Sequence, residues 1–183
     1  MRTTLTVILV LVSIDLLNGG RTYTPAPKIK INHFPSAFRL IESNEGRYSN
    51  HPKDKGGRTY LGITYKWNKN WPGWKAHHKY LLAKTYYFKI WKEEGFDQLK
   101  DSTIAKYLFD TRISISKKNC IKLLNLCGVA DVKHTKRWVN SSIDSISIGR
   151  LRQCRCEYYK RLVRKDSSQV VFLKGWLARS NKI

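Results

Sequence analysis

Acidic residues are scarce: 13 Asp and Glu stand against 35 Lys and Arg, leaving a net charge of +22 on 183 residues. That imbalance points to a polyanionic partner, whether nucleic acid, an anionic membrane or an acidic cell wall, and carries no information on fold. Glycine (11) and proline (5) are too few for a collagen-like chain. A hydrophobic content of 42% with 12% aromatics is too rich for a disordered one. No internal repeat is visible, and no apolar run after the N-terminal segment is long enough to span a membrane. No histidine stands at ligand spacing to the four cysteines, which argues against a metal site there. What remains is a chain long enough for one domain with its own core, or a small domain with an appendage.

Residues 1–20 have the layout of a secretory signal peptide. Arg2 supplies the positive charge, Leu5 to Ile14 an apolar run, and Asn18-Gly19-Gly20 the small residues that follow. The alternatives are a buried N-terminal element and an uncleaved, weakly held membrane anchor. Residues 21–33, with Pro25 and Pro27, read as an extended linker. Export permits disulfides among Cys120, Cys127, Cys154 and Cys156. Cys120 and Cys127 share the buried face of a helix closed by Gly128, and Cys154 lies on the apolar stripe of a second helix. Small core residues and one bridge are both open readings.

The rest is mostly α. Phe38, Ile41 and Glu45 share one face of a helix over 34–46, capped by Ser36 and ended by Gly46. From Tyr48 to Thr64 no helical period exists, which predicts a structured loop with a short hairpin. Thr64 reads as the cap of a short helix. Helices follow at 76–91, 102–113, 117–127 and 149–165.

So few carboxylates can be weighed one by one. Glu93, Glu94, Asp97 and Asp101 cluster at a polar helix end and read as solvated; Asp110, behind Leu108-Phe109, reads as half-buried and paired with Arg112 or another cation. Glu45 differs. It extends an apolar stripe at a helix C-terminus, where desolvation and the negative end of the macrodipole both disfavour its charge. That is the setting of a general acid, which must still hold a proton when the leaving oxygen needs one. The bland alternative is a surface glutamate that happens to fall on the stripe. Asp54, in His51-Pro52-Lys53-Asp54-Lys55-Gly56-Gly57, is either a second carboxylate that positions water or an Asx-turn residue fixing the loop.

The segment Glu45-Gly46-Arg47-Tyr48 through Pro52, Asp54, Gly56-Gly57, Thr59 and Gly62-Ile63-Thr64 resembles the signature of glycoside hydrolase family 108, lysozyme-like muramidases of phages and bacteria. The likeness extends through Leu108-Phe109-Asp110 and on to Phe172–Arg179, covering about residues 34–179. It implies a mainly α, lysozyme-like catalytic domain over 34–110 with a glycine-rich active-site loop. A small helical peptidoglycan-binding region follows over 111–183. It further implies hydrolysis of the β-1,4 bond between N-acetylmuramic acid and N-acetylglucosamine, no cofactor, Glu45 as general acid and Asp54 as a second acidic position. Tyr48, Gly57, Thr59 and Thr64, together with Trp67 just beyond the signature, are the candidate substrate-binding residues. One departure bears on activity: Arg47 replaces the second glycine of the family's E-G-G. Another is Thr111–Ser116, where the family carries an Asn-x-Gly element.

Trp67, Trp71 and Trp74 crowd a segment where their rings either stack on sugar faces or plug the core beneath a loop. Trp91, Trp138 and Trp176 read as core, and His77-His78 as surface or cap residues. Three function classes follow: an exported peptidoglycan hydrolase held on an anionic wall, a wall-binding relative without activity, and a cationic nucleic-acid binder. The last rests on residues 149–183, where ten Lys and Arg face two acids.

Overall fold

The computed structural model describes residues 32–50, 57–129, 132 and 135–182, and all of them belong to one compact unit. Helix α1 (Phe34–Glu45) starts with a proline in its first turn, where the missing N–H leaves no bond unmade. The Asn32 side chain, not Ser36, accepts from the Phe34 N–H at 3.1 Å. Ser36 turns the other way and donates to the His33 carbonyl at 2.8 Å, so the expected cap is corrected by two alternatives competing locally. Phe34, Ala37, Phe38 and Ile41 form the buried stripe. Gly46 ends the helix at φ 66, ψ 173, a region essentially reserved to glycine.

The loop after it is a small antiparallel sheet: β1 (Tyr48–Ser49), β2 (Thr59–Tyr60) and β3 (Ile63–Thr64). Tyr48 faces Tyr60, and Thr59 faces Thr64 across β2 and β3. Leu61 and Gly62 join β2 to β3 with φ of 48° and 78°. Two positive φ values in a two-residue loop match the right-handed twist of the strands. Leu61 tolerates this because its side chain is buried, its N–H donates to the Arg47 carbonyl at 2.9 Å, and its carbonyl accepts from the Tyr87 hydroxyl. Thr64 therefore ends a strand and caps no helix. Its carbonyl instead collects the N–H groups of Trp67 and Asn68, and the short 3-10 turn comes later, at Pro72–Trp74.

Helix α2 (Lys79–Glu94) starts three residues after the expected Ala76, behind exposed His77 and His78. It stops at Gly95, whose φ is 95° and whose missing Cβ would lie 2.6 Å from the Val139 carbonyl oxygen. Helices α3 (Ser102–Ser114), α4 (Lys117–Leu126) and α5 (Ile148–Lys165) are capped by the side chains of Asp101, Ser116 and Ser147. A sixth helix, α6 (Val170–Ser180), has no clear apolar period and was expected only through the family likeness. α1 packs on α3, and α6 on α5. Trp91, Phe96, Phe109 and Trp138 interlock edge-to-face and stacked at centroid distances of 5.0–5.7 Å, and the buried cluster runs from Phe34 to Leu151. α3 is continuous across residues 110 and 111. Trp176 departs from its core assignment: it is half-buried, stacked on Tyr159.

Cys127, just past α4, is bridged to Cys154 of α5. Cys120 is a buried thiol, pushed up to about 12 by burial, while Cys156 is half-buried and free. Glu94 overturns its solvated reading. Its carboxylate lies inside, gripped by Arg112 (2.7 and 2.8 Å) and by the Trp138 indole N–H at 2.6 Å. The pairing uses up Arg112, so Asp110 finds other partners.

Candidate active site

Glu45 is the last residue of α1, and Gly46 swings the chain away so that its carboxyl is left facing the β2–β3 turn. The fit there is close. A Cβ on Gly62 would stand 2.9 Å from Glu45 Oε2 and 3.1 Å from Cγ and Cδ, so only glycine satisfies both the positive φ and the space. The Glu45 side chain is 19% exposed, intermediate between the core and the surface that sequence pattern left open.

Its other oxygen is taken by an arginine from the far end of the chain. Arg179 Nη2, on α6, donates to Glu45 Oε1 at 2.5 Å and to Asp110 Oδ1 at 2.8 Å. Arg179 Nε reaches both Asp110 oxygens at 3.2–3.3 Å. Asp110, on α3, is 1% exposed and is closed off by Arg155 Nη1 of α5 at 2.8 Å and by the Asn44 amide at 2.9 Å. Arg155 in turn donates to Ser114 Oγ at 3.0 Å. Burial raises the Asp110 carboxyl, but the Arg179 and Arg155 guanidiniums outweigh it and hold the group below the ordinary aspartate range. Desolvation disfavours the Arg179 cation, and Asp110 with Glu45 more than restores it. Tyr87, 1% exposed, is pushed far up by burial and then by the negative charge of Glu45, so its hydroxyl is a neutral donor, given to the Leu61 carbonyl that frames the turn.

This arrangement gives Glu45 two distinct oxygens. Oε1 faces a cation that donates hydrogen bonds and takes none, so a proton on Glu45 resides on Oε2, the side of the hairpin. Asp110, enclosed by two guanidiniums, has neither the exposure nor a free lone pair aimed at solvent to activate water. It is the counter-charge that fixes Arg179.

Around this centre, Tyr48 on β1 is 59% exposed, Thr59 on β2 donates its hydroxyl to the Gly57 carbonyl at 3.2 Å, and Thr64 closes β3. Gly57 sits at φ 71 with open space where a Cβ would be. Trp67 is 75% exposed, with Lys66 Nζ 4.9 Å from its ring centroid. Trp71 and Trp74 go the other way. Trp71 is buried, stacked on Tyr60, and Trp74 donates its indole N–H to the Asn68 carbonyl at 2.6 Å. The sheet and the α1 terminus thus gather Glu45, Tyr48, Thr59 and Thr64 on neighbouring backbone, with Trp67 on the loop beyond. Asp54 lies outside the described residues. Arg47, the departure beside the acid, is exposed, and the guanidinium on Glu45 comes from Arg179. Sequence reading missed Arg179 because 134 positions separate the pair. Gly62 carried a signal, as a motif glycine beside a strand, without showing what it approached. Among the described residues no group of three or more His, Cys, Asp or Glu is placed to hold a metal ion.

Residues 38–115 match the family model Glycosyl hydrolase 108. The match spans α1, the sheet, α2 and α3, and so includes Glu45, Gly62 and Asp110, while Arg155 and Arg179 lie beyond it. It supports a peptidoglycan-degrading glycoside hydrolase. The solved structure of Brucella abortus SagA is similar, with a TM-score of 0.61 and 24% sequence identity over 81% of this chain and 90% of that one. That likeness carries the fold, which is mainly α and lysozyme-like. No curated protein matches.

Proposed function

We propose that this glycoside hydrolase is an N-acetylmuramidase, cleaving the β-1,4 bond between N-acetylmuramic acid and N-acetylglucosamine with Glu45 as general acid. The supporting observation is the Glu45 carboxyl itself, one oxygen pinned by Arg179 and the other turned to the glycine of the β2–β3 hairpin. A proton on Oε2 passes to the glycosidic oxygen as the C–O bond breaks, and the positive charge grows on the sugar ring. The carboxylate left behind gains its full negative charge beside Arg179, which stabilises it without moving. Asp54 is proposed as the second carboxylate that positions water. Tyr48, Gly57, Thr59 and Thr64 are proposed to line the glycan strand, and the exposed Trp67 ring to stack on a sugar face.

On this reading residues 1–20 direct export or tether the chain, 21–33 link, 34–110 carry the chemistry, and 111–183 engage peptidoglycan while lending Arg179 to the site. The net charge of +22 holds the protein on an anionic wall.

A wall-binding relative without turnover is the second reading, favoured by the same Arg179 contact, which occupies one oxygen of Glu45. Mass spectrometry of fragments released from purified peptidoglycan separates the two. Muropeptides ending in reducing N-acetylmuramic acid establish the muramidase. Fragments ending in reducing N-acetylglucosamine overturn the bond assignment, and no release by folded, wall-sedimenting protein establishes the relative.

A further inference from the structure

The corner where α5 turns into α6 has no part in the proposed chemistry, yet it has the most unusual surface among the described residues. Val170, Val171 and Phe172 open α6 in succession and are 55%, 73% and 54% exposed. Burying such side chains is worth enough that soluble surfaces rarely leave three together. They are not loose. Phe172 stacks on Trp176 at 5.7 Å, and Trp176 on the buried Tyr159 at 4.9 Å, so an aromatic ladder anchors the corner to α5.

Both helices of this corner carry exposed cations. Arg161, Arg164 and Lys165 are exposed on the last turns of α5, and Lys174 is exposed one turn into α6. Arg161, Lys165 and Lys174 form no ion pair among the described residues, and Arg164 is shared at 3.8 Å with Glu157. Asp166 is spent on the turn, accepting from the Ser168 N–H and hydroxyl. A groove of about 430 Å³ lies between α4 and α5, where Leu126 and Leu162 stand among Lys122, Arg161, Arg164 and Lys165. Exposed apolar side chains accompanied by cations, most of them outside any ion pair among the described residues, are complementary to a lipid surface, the former to its acyl boundary and the latter to its phosphates. A bare anionic polymer would match the cations and leave the valines and phenylalanine unexplained. No helix among the described residues is long and apolar enough to cross a membrane.

We propose that the α5–α6 corner is a docking site for anionic phospholipid membranes, with Val170, Val171 and Phe172 entering the interface and Arg161, Arg164, Lys165 and Lys174 pairing with headgroup phosphates. The inference is independent of the muramidase reading, because its readout is binding and not turnover.

The test is co-sedimentation of the full chain with vesicles of phosphatidylcholine containing one quarter phosphatidylglycerol, beside vesicles of phosphatidylcholine alone. Two double variants are compared with the parent: V171D/F172D and R164E/K165E. Residues 1–20 are unchanged in all three, so any difference reports the corner. The expected result is preferential binding to the anionic vesicles that weakens with added salt and falls about tenfold or more in each double variant. Helical circular dichroism should stay at parental values. Equal binding by parent and variants overturns the proposal, as does equal binding to both vesicle types. Parental vesicle binding with loss of a dimer in V171D/F172D would show that the corner joins two copies of this chain instead.

Discussion

At the scale of single residues, the site is a problem in placing charge. Arg179 bridges two carboxylates, but the two contacts differ in kind: Asp110 is buried and doubly paired, Glu45 is partly open and singly paired. Removing Asp110 therefore hurts the fold, because Arg155 is left as a fully buried cation without its counter-ion. Asp110→Asn should lower the unfolding free energy by about 3–5 kcal/mol in denaturant titration. The sign with pH follows from its lowered folded-state value. Its contribution is present above the ordinary aspartate value of about 4 and is lost as pH falls from there through the folded-state value. Wild-type thermal stability should fall in that acid window, and Asp110→Asn should flatten that part of the curve. Gly62 gives a different test. Gly62→Ala puts a methyl against Glu45 Oε2 in a conformation that L residues rarely adopt. It should destabilise by about 1–2 kcal/mol, read by thermal unfolding, and reduce kcat more than KM.

Elements explain why some of this was legible and some was not. The stripe Phe38, Ile41, Glu45 and the glycine after it located α1 within one residue, because local period and a glycine-only conformation both leave marks in sequence. The hairpin was visible in outline through its glycines, whereas the strand role of Thr64 was not, since threonine suits a strand end and a cap equally. Glu94 was misread from its polar neighbours, as its partners Arg112 and Trp138 are 18 and 44 positions away. Arg179 was hidden for the same reason, on a helix with little apolar period of its own. The cysteine arithmetic stopped at one bridge without choosing its ends; α4 and α5 bring Cys127 and Cys154 to a Cα separation of 5.9 Å. Closing a loop of 27 positions restricts the unfolded chain, so Cys127→Ser should cost about 3 kcal/mol in unfolding free energy. Turnover by the folded fraction should be spared, because neither cysteine touches Glu45.

For the whole molecule, the C-terminal helices and the N-terminal half are one energetic object. The matched family segment supplies Glu45, Gly62 and Asp110, and α5 and α6 return the two guanidiniums that pair with the two carboxylates. Truncation before α6 should leave a wall-sedimenting but inactive chain, detectable by pairing a pull-down with an activity assay. The measurement that bears most directly on the account is reducing-end release from peptidoglycan by wild type and by Glu45→Gln, whose amide oxygen can still accept from Arg179 and so preserve the network. The account predicts a loss of about a hundredfold or more with unchanged thermal stability and unchanged sedimentation with the wall. Wild-type rates from Glu45→Gln would contradict it, and would remove Glu45 as the acid.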